Sequence, residues 1–237
     1  MADETVTIRI LSAGAPKTGV SRCAEAFERA TGNKPDITFN TAPEVQGKVE
    51  AGEDEFDIVV APVAMLEAFE STGRTMPGTR TVVGSVKAAV VVRAETPEPD
   101  ISTTDGLRQT VLDADAVVYN TASSGLYIEH MLERLEVMDA IRDRIVRVPN
   151  GAAVMQHLAN KAAPGAIGFG QATEIHLQAE RNGRVKFVGA LPKEVENVTT
   201  YAVAVLSPAT SPDVAKKLVA FMGSPEGLAI FAATGVE

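Results

Sequence analysis

Three strand–loop–helix units follow one another in the first part of the chain. The strands are predicted at residues 5–11 (TVTIRIL), 34–40 (KPDITFN) and 56–60 (FDIVV), and each leads through a short loop into a helical segment. Such units form parallel sheets, in which the loops after the strands converge on one edge. The sequence therefore predicts an α/β fold with a ligand crevice at the carboxyl ends of its strands.

The loops after the first two strands are built from small and hydroxyl-bearing residues. SAGAPKTG begins at Ser12, and NTAP begins at Asn40. Each loop leads into a helix, whose first N–H groups have no intrahelical partner and carry partial positive charge. Anions bind readily at such helix N-termini. The two loops therefore indicate a site for a small anion.

The charge balance narrows the choice of partners. The chain of 237 residues carries a formal net charge of −9, which argues against nucleic acid or an anionic membrane surface as the main partner. A small anion remains compatible, because backbone amides supply local positive potential on an acidic protein. The apolar content of 45% is enough for one or two packed cores. No apolar run reaches the length of roughly 18–20 residues that a membrane span needs.

Motifs for covalent or metal chemistry are not found. The sequence has no CxxC or HxxxH pattern, and its three histidines fall on different predicted helices. The segment SAGAPKTG does not have the GxxxxGK[ST] spacing of a nucleotide loop. Cys23 stands beside Ala24, Ala26 and Phe27 in a predicted helix and is interpreted as a buried structural thiol. No catalytic residue, metal ion or cofactor is therefore predicted from motifs.

Two long apolar strands, at residues 86–93 and 197–206, flank a second α/β block. Their near-continuous Val and Ala content predicts burial on both faces. The block between them contains the loops 120–125, 149–151 and 170–173, and two helices close the chain. This order predicts two lobes joined by two crossings: residues 1–82 with 200–237 form lobe I, and residues 83–199 form lobe II. A ligand cleft with hinge closure would lie between such lobes.

Several segments resemble the periplasmic molybdate-binding proteins and their relatives. They are EAFERATG, TFNTAPEVQGKVEAGEDEFDIVV, NTASSGLYIEHMLERL, NGAAVMQHLANKAAPGAIGFG and SPEGLAIFAATG, which together span essentially the whole chain. The resemblance implies a type-2 periplasmic-binding-protein fold, in which each lobe is a mostly parallel sheet flanked by helices. It also implies a monomer that captures an anion and hands it to the membrane component of an ABC transporter.

The same resemblance implies which residues bind the ligand. Members of the family hold oxyanions with backbone amides and hydroxyl groups rather than with cationic side chains. The matching positions lie in five loops, and the ligand-binding residues that they predict are Ser12, Ala13, Gly14, Ala15, Asn40, Thr41, Ala42, Ser123, Ser124, Gly125, Gly151, Ala152, Phe169 and Gln171.

The chain departs from the molybdate pattern at three of these positions. Ala15 and Ala42 stand where the molybdate binders carry serine, and Phe169 stands where they carry tyrosine. A buried oxyanion oxygen that lacks a donor is destabilised by about 1–3 kcal/mol. A small organic anion, such as a di- or tricarboxylate, therefore fits better than molybdate or tungstate. Lys17 is the cation placed to pair with a carboxylate.

Two other functions are compatible with parts of the pattern. The alternative to capture is an isomerase that acts on a small unsaturated tricarboxylate, similar to aconitate isomerase. Its proton-transfer candidates would be Lys17, Tyr119 and His130, with Ser123 and Ser124 as donors to the forming anion. The effector domain of a transcription regulator is disfavoured, since the first strand begins near Thr5 and leaves no room for a preceding DNA-binding segment.

The N-terminal residues bear on the compartment. MADETVT has neither a basic segment nor an apolar segment of a signal peptide. The protein is expected to be periplasmic if Met1 restarts a mature chain, for which Ala2, Asp3 and Glu4 are a typical exported start. It is expected to be cytoplasmic if Met1 is the native start.

Overall fold

A computed structural model describes residues 5–52, 56–160 and 162–237. The predicted exported start at residues 2–4 therefore lies outside the described residues. The first half of the chain forms alternating strands and helices, as the sequence predicts: β1 (Thr7–Ala13), α1 (Lys17–Thr31), β2 (Lys34–Asn40), α2 (Ala42–Ala51), β3 (Ile58–Pro62), α3 (Val63–Ser71) and β4 (Thr81–Arg93).

The second half begins with a shorter set of α/β units: α4 (Thr104–Asp113), β5 (Val117–Asn120), α5 (Ser123–Arg134), α6 (Met138–Ile141), β6 (Ile145–Val148), α7 (Gly151–Asn160), β7 (Ile167–Gln171), α8 (Ala172–Asn182) and β8 (Val185–Ala190). Two single 3₁₀ turns lie at residues 142–144 and 193–195. The chain ends with β9 (Val198–Val205), α9 (Pro212–Met222) and α10 (Pro225–Ala232).

Several predicted boundaries are wrong. Strand β4 begins at Thr81, five residues before the predicted start at residue 86, and the boundaries near the site differ by one or two residues. Strands β1 and β3 each lie two residues further along the chain than predicted, so Ser12 and Ala13 belong to β1. Strand β7 extends through Gln171, and α7 already begins at Gly151. Thr103 caps α4, because the Thr103 hydroxyl accepts the N–H of Gly106.

The residues cluster into two compact units. The first comprises residues 1–86 and 199–237, and the second comprises residues 87–198. The chain passes from one unit to the other within β4 and returns at the start of β9. In the first unit β1 pairs in parallel with β2 and β3, and β3 pairs antiparallel with β9. In the second unit β5 pairs in parallel with β6 and β7, and β4 pairs antiparallel with β7 and β8.

Each sheet is buried on both faces, as the long apolar strands predict. In the first unit Ile10 and Val60 pack under α1, α9 and α10, while Leu11 and Val59 pack under α2 and α3. The same alternation runs along the second half of β4, where Val90 lies on one face and Ala89 and Val91 lie on the other. Helices therefore cover both sides of each sheet, and the strand ends are left as the open edges.

Cys23 is confirmed as a buried thiol in the core of the first unit. Its side chain has no exposed surface, and its Sγ lies 3.6 Å from the carbonyl oxygen of Gly227. Burial, together with the nearby Glu226 carboxylate, raises the pKa of the Cys23 thiol to about 12. The thiol therefore stays protonated at neutral pH and packs as a small apolar side chain.

Candidate functional site

In the first unit the predicted ligand loops meet at one edge, because β1, β2 and β3 run in parallel. Ala13 at the end of β1 lies directly opposite Asn40 at the end of β2. This register brings residues 12–17 and 40–42 together at the carboxyl edge of the sheet. The sequence-based expectation that parallel strand ends would gather these loops is therefore met within this unit.

The N-terminus of α1 is open. Pro16 occupies the N-cap position and provides no side-chain cap, and the first turn contains no acidic residue. Lys17 is the first residue of the helix, where its positive charge opposes the helix dipole. Among the described residues, no carboxylate lies within ion-pair distance of its ammonium group. The N–H of Lys17 already donates to the carbonyl oxygen of Gly14 at 3.2 Å, so an anion at this helix end would bind the other first-turn N–H groups and the Lys17 ammonium group.

The rest of the first loop presents fewer hydrogen-bond donors at the surface than the sequence suggests. The side chain of Ser12 is fully buried, and its hydroxyl donates to the carbonyl oxygen of Ala13 at 2.9 Å. Ala13 and Ala15 are also buried, and Gly14 is partly exposed. Ser12 therefore supports the loop from within and presents no hydroxyl at the surface of this edge.

At the second loop a carboxylate of the protein itself accepts hydrogen bonds from the donors that were predicted to bind the ligand. Glu44 accepts hydrogen bonds from the N–H and the hydroxyl of Thr41, each at 2.8 Å, and from the side-chain amide of Asn40 at 3.4 Å. The Thr41 N–H, the Thr41 hydroxyl and the Asn40 amide lower the pKa of Glu44, so the group is ionised at neutral pH. The amide oxygen of Asn40 is buried and has no hydrogen-bond partner among the described residues. Ala42, the first residue of α2, is half-buried behind this capping box.

In the second unit, Asn120 fixes the loop that leads into α5. Its side-chain oxygen accepts the N–H of Ala122 at 2.9 Å, and its amide nitrogen donates to the hydroxyl of Ser124 at 3.1 Å. Gly125 lies so close to the end of β5 that a Cβ at this position would fall 1.5 Å from the carbonyl oxygen of Asn120. The first turn of α5 is thereby held against the strand.

The N-terminus of α5 is the second open helix end. Ala122 occupies the N-cap position and makes no side-chain cap hydrogen bond. The hydroxyl of Ser123 is exposed at the first helical position, and Gly125 leaves the third position without a side chain. The first-turn N–H groups of a helix have no intrahelical partners, so this end presents several donors that no side chain of the turn covers.

At the loop after β6, side chains of the protein itself occupy the end of helix α7. Asn150 caps α7 by accepting the N–H of Ala153 at 2.9 Å. The carboxylate of Glu174 stands against Gly151, since a Cβ built on this glycine would lie 2.0 Å from Glu174 Oε2. Gly151 is buried and Ala152 half-buried. The helix end that Gly151 and Ala152 were predicted to offer to a ligand therefore already faces a negative charge of the protein.

At the end of β7 the two predicted residues have different surroundings. Phe169 is fully buried in the core cluster that also contains Ile128 and Ile167, so its side chain does not reach the strand end. Gln171 is 5% exposed and occupies the N-cap position of α8, for which it makes no side-chain cap hydrogen bond. Its side-chain oxygen is buried and has no partner among the described residues.

The structure separates the candidates for proton transfer. The hydroxyl of Tyr119 is buried in the core of the second unit without a hydrogen-bond partner among the described residues. Burial raises the pKa of Tyr119, and Arg147, whose guanidinium lies 5.5 Å from the ring centre, opposes that shift. His130 is exposed on α5, whose buried residues include Ile128, Met131 and Leu132. Of the three candidates, only Lys17 lies at a strand-end loop.

The described part of the chain offers little for other kinds of site. No group of three or more His, Cys, Asp or Glu residues in residues 5–52, 56–160 and 162–237 is arranged to hold a metal ion. None of the helices in these ranges is both long and apolar enough to cross a membrane. A cavity of about 460 Å³ in the second unit lies between α4 and the start of β7, lined by Val92, Pro97, Gln109 and Ile167 among others. It is at the opposite edge of the sheet from the ligand loops.

Comparison with known proteins identifies the family of the chain. Residues 8–237 match the family of bacterial extracellular solute-binding proteins. The chain belongs to this family. A curated relative of this solute-binding protein is an aconitate isomerase from a Pseudomonas species, which is 25% identical over 244 aligned positions that cover all of this chain and 89% of the relative.

Solved structures of binding proteins have the same fold. The periplasmic molybdate-binding protein of Azotobacter vinelandii superposes with a TM-score of 0.78 at 18% identity, covering 97% of this chain and 98% of its own. A sulfate-binding protein of Mycobacterium tuberculosis gives a TM-score of 0.77 at 14% identity, covering 98% and 86%. The predicted type-2 periplasmic-binding-protein fold is thereby confirmed.

Two residues at the strand ends were missed from the sequence. The Thr41–Glu44 pair has the T-x-x-E spacing of a capping box, so Glu44 was recognisable as the partner of Thr41. Glu174 was not recognisable, because it comes from α8 and meets Gly151 only through packing of α8 against α7.

Proposed function

We propose that this solute-binding protein captures a small organic anion at the strand-end loops of its two lobes, which are residues 1–82 with 200–237 and residues 83–199. The observation that carries the proposal is the open N-terminus of α5, where Ser123, Ser124 and Gly125 present donors without a side-chain cap. The carboxylate of a ligand would act as the missing cap and would meet the partial positive charge of the helix. The open N-terminus of α1 with Lys17 supplies the corresponding site in the other lobe.

Several residues at the strand ends lack a free hydroxyl donor. Their lack favours an organic anion over molybdate or tungstate. Ser12 is turned inward, Ala15 and Ala42 have no hydroxyl, and the Thr41 hydroxyl is bound to Glu44. A tetrahedral oxyanion has four oxygen atoms that all need donors, and unsatisfied ones are penalised. Each carboxylate group of a di- or tricarboxylate concentrates its charge at one end of the molecule. One such group can bind at each of the two open helix ends. The captured ligand would then be delivered to the membrane component of an ABC transporter.

A panel of ligands tests the proposal. Thermal unfolding is measured with molybdate, tungstate, sulfate and a series of di- and tricarboxylates. A bound ligand at 100 times its dissociation constant is expected to stabilise the protein by about 2.7 kcal/mol. Stabilisation by at least one carboxylate is expected. Stabilisation by molybdate with none from any carboxylate would overturn the proposed ligand class.

Replacing Lys17 with alanine is expected to weaken carboxylate binding about 10-fold, which corresponds to ~1.4 kcal/mol. The variant loses the one ammonium group at the open end of α1, and calorimetric titration measures the loss. Lys217→Ala is the matched control, since it removes the same charge from an exposed position of α9. Equal affinities of K17A and K217A for the ligand would remove Lys17 from the binding site.

A second candidate function is isomerisation of a small unsaturated tricarboxylate, which the aconitate isomerase relative favours. Lys17 would be the proton-transfer group, because Tyr119 is enclosed in the core and His130 lies away from the strand ends. Incubation of the protein with cis-aconitate, followed by chromatography for the trans isomer, tests this activity. Turnover that disappears in K17A supports isomerisation, whereas binding of cis-aconitate without turnover rejects it.

A further inference from the structure

Gln171 is a buried polar side chain with an unused hydrogen-bonding atom. It lies at the end of β7, is 5% exposed, and its side-chain oxygen has no partner among the described residues. Nearly all buried polar atoms in proteins are hydrogen-bonded, and an exception needs an ordered water or a ligand as its partner. A side-chain carbonyl oxygen can only accept a hydrogen bond. The missing partner of Gln171 Oε1 is therefore a donor.

The strand places this oxygen on the side of the sheet that α5 covers. Side chains alternate along a strand, so Gln171 shares a face of β7 with Ile167 and Phe169. Both of these residues belong to the core cluster that contains Ile128 and Met131 of α5. Helix α5 also packs directly on β7. The unpaired acceptor and the open helix end are thus on the same face of the second unit.

We infer that the ligand is a carboxylate that carries a hydrogen-bond donor, a hydroxyl or an ammonium group, close to its charged end, and that Gln171 selects it. The inference rests on the function proposed above. The carboxylate caps α5, and the neighbouring donor bonds to Gln171 Oε1. Gln171 is a specificity-determining residue in this scheme, because it distinguishes the substituted carboxylate from the same skeleton without the donor.

Succinate, malate and aspartate provide a matched test, since they share one dicarboxylate skeleton and differ by hydrogen, hydroxyl or ammonium at one carbon. Propane-1,2,3-tricarboxylate and citrate provide the same comparison on a larger skeleton. Calorimetric titration of the whole protein is expected to show at least about 10-fold tighter binding of a donor-bearing member than of its unsubstituted partner. The comparison of malate with aspartate shows whether the donor is hydroxyl or ammonium.

The Gln171→Met variant tests the residue itself. Methionine has a similar length and no side-chain oxygen, so the preference within a skeleton is expected to fall to about 2-fold or less. Thermal unfolding of Q171M without ligand checks that the variant is folded. Gln156→Met, at an exposed position of α7, is the control and should keep the full preference.

The outcomes separate the two proposals. If both members of a skeleton bind equally well to the unmodified protein, the inference about the donor is wrong and the proposed capture of carboxylates stands. If Q171M keeps the full preference, Gln171 is not the selecting residue. If no carboxylate of either skeleton binds while molybdate or sulfate does, the proposed function and the inference both fail.

Discussion

The Gly125→Ala variant is expected to lose about 3–5 kcal/mol of the free energy of unfolding. The added Cβ would lie 1.5 Å from the carbonyl oxygen of Asn120 and 2.5 Å from its carbonyl carbon. Both atoms belong to the backbone of a strand that is paired on both sides, so they cannot move aside as a flexible side chain can. The first turn of α5 must therefore shift away from β5, and urea denaturation measures the loss.

The same change is expected to weaken ligand binding, because it displaces the donors of Ser123 and Ser124. Gly47→Ala is the matched control. Gly47 is exposed within α2, has no positive φ, and has open space for 4 Å around the place that a Cβ would take. Alanine there should raise the free energy of unfolding by up to about 1 kcal/mol. A G125A protein as stable as the unmodified one would show that α5 does not rest on the end of β5.

The Asp57→Ala variant is expected to lose about 3–5 kcal/mol of the free energy of unfolding. Asp57 is 1% exposed and precedes β3. One carboxylate oxygen accepts the N–H of Thr210 at 2.7 Å and its hydroxyl at 3.0 Å, and the other accepts the N–H of Arg9 at 2.9 Å. Removing the carboxylate leaves donors from β1 and from the segment before α9 unsatisfied inside the protein.

Two comparisons make this result specific. Asp213→Ala removes a carboxylate whose side chain is 91% exposed and whose oxygen lies 3.8 Å from Lys216, and it should change the stability by no more than about 0.5 kcal/mol. Asp57 also lies at the opposite end of β3 from the ligand loops, so D57A should keep the ligand affinity of the unmodified protein at temperatures where it is folded. A stable D57A protein would contradict the anchoring role of this carboxylate.

Periodicity and local chemistry in the sequence predicted most strands and helices, although not all of their bounds. The strand at residues 34–40 has the predicted bounds, because turn residues flank it on both sides. Ile128, Met131 and Leu132 follow helical spacing in the sequence, and all three are buried on α5. Local patterns of this kind depend on neighbours in sequence, which is why they can be recognised without the fold.

The sequence also indicated the family. It predicted which loops lie together as well, since parallel strands bring their carboxyl ends to one edge, and the ligand site is proposed at these loops. Only the tertiary structure decided which side chains and hydrogen-bonding groups each loop presents to a ligand. A shift of β1 by two residues placed Ser12 inside the strand, and alternation along β7 placed Phe169 in the core and Gln171 at the strand end. Glu174 reaches Gly151 because α8 packs on α7. The direction and the partners of a side chain depend on register and on packing between distant segments, and neither is encoded in the local pattern.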